Sequence, residues 1–245
     1  MIPRERRNMS VEINQKTNDN VALKPRHEWK YGITFPEYLT LKHRLSAVMQ
    51  PDSHSINGIY QIRSLYFDNL RDKALMEKID GVNNREKFRI RYYNGNADFL
   101  MLEKKSKKNG LCTKVQARLT KEEAQKIVTG DITWMKDAEN KLIAELYAKM
   151  LSEGLRPKTI VDYTREAFLY GPGNVRVTLD HDIRSGLSCT DFLDVSCPTV
   201  PVGDDFGVLE VKWDEFLPEV VRLAASLPNL RPTAFSKYAI CRIYG

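Results

Sequence analysis

The chain has 245 residues, 42% of them hydrophobic, and its 38 Lys and Arg against 32 Asp and Glu leave a formal net charge of +6. That content supports one sizeable domain or a barrel-type fold, and the mild basic excess suits an anionic partner without identifying it. The four cysteines show no CxxC spacing, which argues against zinc or a redox pair and for reduced cytoplasmic thiols. The N-terminus lacks the apolar stretch of a secretory signal, and no window approaches the roughly 18 apolar residues of a membrane-spanning helix.

Residues 1–22 are polar and read as a flexible arm, with 23–245 as a single domain. From Arg26, RHEWKYGIT predicts a strand, and Pro36 opens a helix over 36–49. A long strand at 59–69 (IYQIRSLYFDN) and a short helix at 71–79 follow. EKFRIRYY predicts a strand at 84–93, and Asn94-Gly95 is a tight hairpin signal returning the chain as FLMLEKKSKK, 99–108. Asn109-Gly110 turns it again into 111–119. Thr120 with Glu123 forms a capping box for a helix, and another helix spans 138–153. Strands at 159–171 and 175–186 flank Gly171-Pro172-Gly173, a loop rich in Asp, Cys and Pro leads to a strand at 207–215, and the end is helical over 215–227 and 235–243. Eight antiparallel strands with helices outside predict an α+β fold built on a closed or nearly closed barrel.

Period-two parity then sorts the charges. Lys87, Arg89 and Arg91 share a face opposite Phe88, Ile90 and Tyr92. Arg26, Glu28 and Lys30 share one; so do Glu103, Lys105 and Lys107; Lys114, Gln116 and Arg118; Tyr163 and Arg165; and Glu210 with Lys212. In 175–186 the shared face carries Arg176, Thr178, Asp180, Asp182 and Arg184. One such stripe is ordinarily a wet outer face. Here the helices need apolar sheet faces to pack on, which turns the charged faces inward. A cationic interior is costly unless water or a polyanion fills it. Arg forks and Lys point charges suit phosphate, and carboxylates among them suit a bridging divalent metal. The four histidines show no ligand spacing, and His27 and His181 read as packing residues on apolar faces.

With these residues in order, the chain resembles the triphosphate tunnel metalloenzymes, and within them the VTC domain, the polyphosphate polymerase domain of the vacuolar transporter chaperone family. The resemblance rests on Glu28-x-Lys30, SLYFDN (64–69), Arg89-x-Arg91, LEKK (Glu103, Lys105), YTREAF (Tyr163, Arg165), VRVTLD (Arg176, Asp180), VLEVK (Glu210) and FSKY (Ser236, Lys237), over roughly 24–241. It implies an eight-stranded tunnel that transfers the γ-phosphate of ATP to a growing polyphosphate chain with a divalent metal, Mn²⁺ or Mg²⁺. Lys30, Arg89, Arg91, Lys105, Arg165, Arg176 and Lys237 would then hold triphosphate and product chain. Arg26, Glu28, Lys114, Tyr163 and Ser236 would line the substrate path, and Glu210, with Glu103 and Asp180, would serve the metal.

One departure is informative. The hydrolytic branch of that superfamily opens with ExExK, whereas Arg26 occupies the first position here, which favours transfer to phosphate over hydrolysis. The rival readings are a tunnel triphosphatase or tripolyphosphatase and a non-catalytic polyphosphate holder. Nucleic-acid binding would interleave aromatics with cations on one face, but most aromatics here lie on the opposite parity. The expected setting is the cytoplasm, without direct membrane insertion; any membrane role would need a partner protein.

Overall fold

A computed structural model describes residues 26–53, 55–109, 111–203 and 206–243, so the expected N-terminal arm lies outside the described residues. The first half contains β1 (His27–Ile33), α1 (Phe35–Val48), β2 (Gln50–Pro51), β3 (Ile59–Asp68), α2 (Lys73–Ile79), β4 (Arg85–Tyr93), β5 (Asn96–Lys108) and β6 (Leu111–Leu119). The second half contains α3 (Lys121–Thr129), α4 (Lys141–Ser152), β7 (Arg156–Tyr170), β8 (Val175–Ser185), β9 (Val200–Pro201), β10 (Gly207–Trp213), α5 (Glu219–Ala224), β11 (Arg231–Pro232) and α6 (Lys237–Ile243).

Local chemistry explains most boundaries. Asn94 and Gly95 both take positive φ, 54° and 70°, as a two-residue hairpin between β4 and β5 requires. The capping box that starts α3 is present: Thr120 Oγ1 accepts from the Glu123 amide at 3.1 Å, and Glu123 Oε2 accepts from the Thr120 amide at 2.8 Å. A second box, Thr34 with Glu37, starts α1.

The strands run antiparallel in the order β11-β1-β10-β8-β7-β3-β4-β5-β6, and the eight long ones curl strongly into a half-barrel with helices outside. The ring does not close by strand pairing: β1 and β6 do not pair among the described residues. Residues 231–233 occupy the free edge of β1 instead, with Gly32 opposite Arg231 and the Thr233 amide donating to the Lys30 carbonyl at 2.9 Å. An edge already paired has no free backbone groups for β6.

The convex face is apolar, as the parity analysis requires. Phe88, Ile90, Leu100, Leu102 and Leu119 pack beneath Ala124 and Ile127 of α3 and Leu142 and Leu146 of α4. Val177, Leu179, Leu209 and Val211 pack beneath Leu41 and Leu45 of α1 and Val221 of α5. His181 stacks on Phe206, and His27 on Trp213, both as packing residues. Trp29 is 40% exposed and meets Trp213 edge-on at the margin of that layer.

Inside the curl, α2 and α6 close one end with a third apolar cluster. Tyr66, Val161, Ile183 and Val208 of the sheet surround Leu75 and Tyr238. The Tyr238 hydroxyl donates to Asp68 Oδ2 at 2.5 Å, and Asp68 also accepts from the amides of Asn69, Ala74 and Leu75. One carboxylate therefore ties α6 to the start of α2. Tyr238→Phe removes a donor from a fully buried acid and is expected to cost about 1–3 kcal/mol in urea unfolding; an unchanged midpoint would remove Asp68 as the tie.

One parity expectation fails. The β7–β8 register shifts between Asp162 and Thr164, and Asp182 takes φ 48°. This irregularity flips the alternation beyond Asp180. Ile183 turns into the inner cluster, and Arg184 leaves the lining face to donate to Thr199 Oγ1 at 3.0 Å and its carbonyl at 2.6 Å.

Candidate functional site

The concave face gathers cations from seven strands and two helices around four carboxylates. Asp180 on β8 is fully buried. It accepts from Arg165 Nε and Nη2 at 2.6 and 2.7 Å and from Lys237 Nζ at 2.5 Å. Burial alone would raise its pKa, but Arg165 and Lys237 outweigh that and hold it at about 2.

Glu210 faces Lys30 across the β1–β10 ladder, and Glu28 faces Lys212 in the same register. Glu210 lies 2.9 Å from Lys212 Nζ, 3.4 Å from Lys30 Nζ and 3.6 Å from an Arg165 nitrogen; Lys30 also pairs with Glu28. Burial opposes ionisation of Glu210, yet Lys212, Lys30 and Arg165 hold its carboxyl well below the ordinary range. Glu103 on β5 takes Arg89 Nε at 2.7 Å on one oxygen and Lys114 Nζ at 2.9 Å on the other.

Between these groups Arg91 donates to Ser64 Oγ and Tyr163 Oη, each at 2.9 Å. The Tyr163 ring is flanked by three cations, with Arg91, Arg165 and Lys237 at 5.7, 5.4 and 4.6 Å from its centre. Tyr163 spaces like charges that would otherwise meet directly.

Lys87 on β4 and Lys105 on β5 make no ion pair among the described residues. Burial first, then the charges of Arg89 and Lys212, push the Lys105 ammonium well below its ordinary pKa. Burial, opposed by Tyr66 and reinforced by Arg89, Lys30 and Lys78, brings Lys87 down to about 8. Tyr66 accepts from Arg89 Nη1 at 2.7 Å. Burial would raise its hydroxyl, but Arg89, Lys87 and Arg91 lower it to about 8. Groups on β4 and β5 thus feel charges on β1 and β10, so the curl brings the two ends of the sheet face to face.

This electrostatic frustration has a measurable consequence. A polyanion beside Lys87 raises its pKa from the free value near 8, so binding takes up protons above that pH. Affinity is full below about pH 8 and falls as pH rises, and Tyr66 ionisation adds negative charge in the same window. Calorimetry of tripolyphosphate binding at pH 8.5, with chelator, in buffers of different ionisation enthalpy is expected to show this uptake, reduced in Lys87→Met. Buffer-independent enthalpies would refute it.

Most of the residues anticipated from sequence converge. Lys30, Arg89, Arg91, Lys105, Lys114, Arg165, Lys237, Tyr163, Glu28, Glu103, Asp180 and Glu210 share this interior. Arg176 lies on the same face toward one end, 2.9 Å from Asp52. Arg26 sits at the rim, 2.6 Å from Asp214 and bonded to the Asn174 carbonyl. Ser236 stands at the start of α6, where its hydroxyl accepts from the Ala239 amide at 3.4 Å, so its observed contact orients the helix that carries Lys237. Lys87 and Lys212 belong to the lining and were legible from their parity with Arg89 and Glu210. Lys78 comes from α2, so no strand alternation announces it.

Among the described residues no three His, Cys, Asp or Glu side chains converge as a metal-ligating group. Asp180 and Glu103 have both oxygens taken by cations at hydrogen-bond distance, whereas Glu210 Oε1 has Lys212 at 2.9 Å and Glu210 Oε2 has Arg165 only at 3.6 Å. Glu210, with Glu28 beside it, is therefore the carboxylate of this interior best placed to hold a divalent ion if one binds here.

The VTC domain family matches residues 25–243. An adenylyl cyclase candidate from Hippeastrum with a dominant triphosphatase activity superposes with a TM-score of 0.52 at 14% identity, covering 89% of this chain and 96% of that one. An adenylate cyclase candidate from Bacillus halodurans gives 0.49 at 14% identity, covering 77% and 80%. No curated protein sequence matches. The half-barrel with its concave charges is the triphosphate tunnel fold expected from the sequence, and the match over nearly all described residues shows that this chain belongs to the VTC domain family.

Proposed function

We propose that the protein is a polyphosphate polymerase that transfers the γ-phosphate of ATP to the end of an inorganic polyphosphate chain inside the cationic cup. The observation that carries this reading is the convergence of Lys30, Arg89, Arg91, Lys105, Arg165 and Lys237 on one interior beside Glu210, with Lys87 and Lys105 lacking carboxylate partners among the described residues. Such a surface is electrostatically incomplete without an anion carrying several charges.

Each side chain has a definable task. Arg165 and Arg89 present their guanidinium forks from positions set by Asp180 and Glu103, so these two acids are positioning residues. Lys30, Lys105, Lys114, Lys237 and Arg91 neutralise phosphate oxygens, and Arg176, Arg26, Glu28, Tyr163 and Ser236 line or shape the approach. A Mn²⁺ or Mg²⁺ ion carried with the nucleotide and held by Glu210 supplies charge neutralisation at the transferring group. No protein nucleophile is needed, because the terminal oxygen of the chain attacks the γ-phosphorus, the P–O bond to the β,γ-bridging oxygen breaks, and ADP leaves. Phosphoryl transfer through a loose transition state asks the protein chiefly for positioning and charge.

The substrates are ATP and polyphosphate rather than nucleic acid. No helix among the described residues is long and apolar enough to cross a membrane. We place the protein in the cytoplasm, where ATP is supplied, with any membrane role requiring a partner protein.

The triphosphatase reading draws support from the Hippeastrum protein. It is disfavoured by Arg26, which stands where the hydrolytic pattern has a glutamate. Incubation with ATP and Mn²⁺ separates the two on a polyphosphate-stained gel. A ladder of long chains supports the polymerase, orthophosphate without a ladder supports hydrolysis, and neither product with polyphosphate still bound makes the cup a holder.

A further inference from the structure

The spacing of the four cysteines offers no redox pair, but the fold makes one. Between β8 and β9 the chain crosses the convex face of the sheet and carries Cys189 and Cys197. Tight turns double this segment back on itself. The Cys189 amide donates to the Gly186 carbonyl at 2.8 Å, the Asp194 amide to the Asp191 carbonyl at 3.1 Å, and the Cys197 amide to the Asp194 carbonyl at 3.2 Å. Asp194 Oδ1 also accepts from the Ser196 amide and hydroxyl, at 2.8 and 2.7 Å. The sheet pins the segment from beneath. Arg63 on β3 donates through Nη1 to the Asp194 carbonyl at 2.6 Å and through Nη2 to the Cys197 carbonyl at 3.4 Å. The Tyr92 hydroxyl on β4 donates to the Phe192 carbonyl at 3.1 Å. Both cysteines pack in the apolar cluster beneath α3 and α4, and their thiols are in hydrogen-bonding contact.

The two thiols are not equivalent. Cys197 is buried, and that burial, then the contact with Cys189, push its thiol up to about 12. Cys189 is half-buried and is the more accessible of the pair. Cys112 is exposed on β6, and Cys241 is buried on α6, where it donates to the Arg184 carbonyl at 3.6 Å.

We infer that Cys189 and Cys197 form an oxidation site that closes to a reversible disulfide when the protein meets a hydroperoxide. The inference goes beyond the proposed function and does not depend on it. The Cys189 thiolate takes one oxygen from hydrogen peroxide, the O–O bond breaks, and water leaves a sulfenic acid. The Cys197 sulfur then attacks the Cys189 sulfur, the S–O bond breaks, and the oxygen departs with the Cys197 proton as a second water. The peroxide gains the two electrons that the two thiols lose. Turns and the Arg63 contacts hold the thiols together beforehand, so ring closure costs little chain entropy. In a reducing compartment such a pair stays open at rest and closes only under oxidation. Closure ties down the segment bonded to Arg63 and Tyr92, which adjoin Ser64 and Arg91 of the cup in the chain.

The test uses the whole protein, reduced, freed of reductant, treated with hydrogen peroxide and then alkylated under denaturing conditions. Trypsin leaves both thiols in one peptide, Ser185–Lys212, because no Lys or Arg lies within it before its last residue. That peptide is expected to lose the mass of two hydrogens and to escape alkylation, and dithiothreitol should restore both sites. Cys197→Ser should leave the sulfenic acid on Cys189, where a dimedone probe captures it, and Cys189→Ser should leave Cys197 open to alkylation. Equilibrated with the glutathione couple, the wild-type disulfide should be favoured about tenfold more in the native protein than in urea. By the same linkage, closing it should raise the melting temperature by about 4 °C. Both thiols alkylated after peroxide, or disulfides only between molecules, would overturn the inference. A melting temperature lowered by closure would also overturn it, by showing that the fold holds the two sulfurs apart.

Discussion

Glu210→Gln is expected to lower polyphosphate synthesis about 1000-fold while leaving tripolyphosphate bound in the presence of chelator. Glu210 stands among Lys30, Lys212 and Arg165, with one oxygen no closer than 3.6 Å to any of these cations. Its replacement removes the ligand proposed to hold the divalent ion at the transferring phosphoryl group. Losing metal stabilisation of that group costs several kcal/mol, and each 1.4 kcal/mol is about a factor of ten. Binding moves the other way, because a buried negative charge has been removed from beside the phosphates. A synthesis rate within tenfold of wild type would remove Glu210 from the chemistry. Simultaneous loss of tripolyphosphate binding would make it an organiser of the lysines instead.

Asp180→Ala is expected to cost about 3–5 kcal/mol in folding stability, the largest effect of any single lining substitution considered. Asp180 is fully buried and accepts from both Arg165 and Lys237. Without it, Arg165 keeps only the 3.6 Å contact with Glu210, and Lys237 has no acid left at ion-pair distance among the described residues. A phosphate can replace the lost acid, so tripolyphosphate should raise the melting temperature of this variant more than that of wild type. The pH dependence has a definite sign. The folded pKa, near 2, lies below the unfolded value of about 3.9. Asp180 therefore contributes stability above pH 4, and that contribution is lost as pH falls toward 2. Acid unfolding of Asp180→Ala should be flatter than wild type across this window. A variant as stable as wild type without ligand would show that Arg165 and Lys237 need no internal counterion.

Much of this architecture follows from residue order alone. Alternation along EKFRIRYY places Phe88, Ile90 and Tyr92 on one face and Lys87, Arg89 and Arg91 on the other, because a pleated strand permits nothing else. Helices on the apolar side then decide which face is concave. The Asn94-Gly95 turn and the Thr120–Glu123 box are equally local, each demanding one backbone geometry. The family motifs, read in order, named most of the residues that converge in the cup.

Other features required the folded chain. The β7–β8 irregularity at Asp182 turns Arg184 outward, since one inserted residue reverses alternation and no composition signal marks it. The free edge of β1 is taken by residues 231–233, distant in sequence, which leaves the sheet a half-barrel. Lys78 reaches the lining from a helix. Which cations are satisfied is also a tertiary matter: Arg165 and Lys237 share Asp180, 15 and 57 residues away in the chain, while Lys87 and Lys105 have no such partner among the described residues. Sequence alone determined which strand side chains share a face wherever the ladder is regular, because strand alternation is a local rule. Only the tertiary structure decided which of those charges are already paired and which await an anion, because ion pairing depends on distances set by the whole curl.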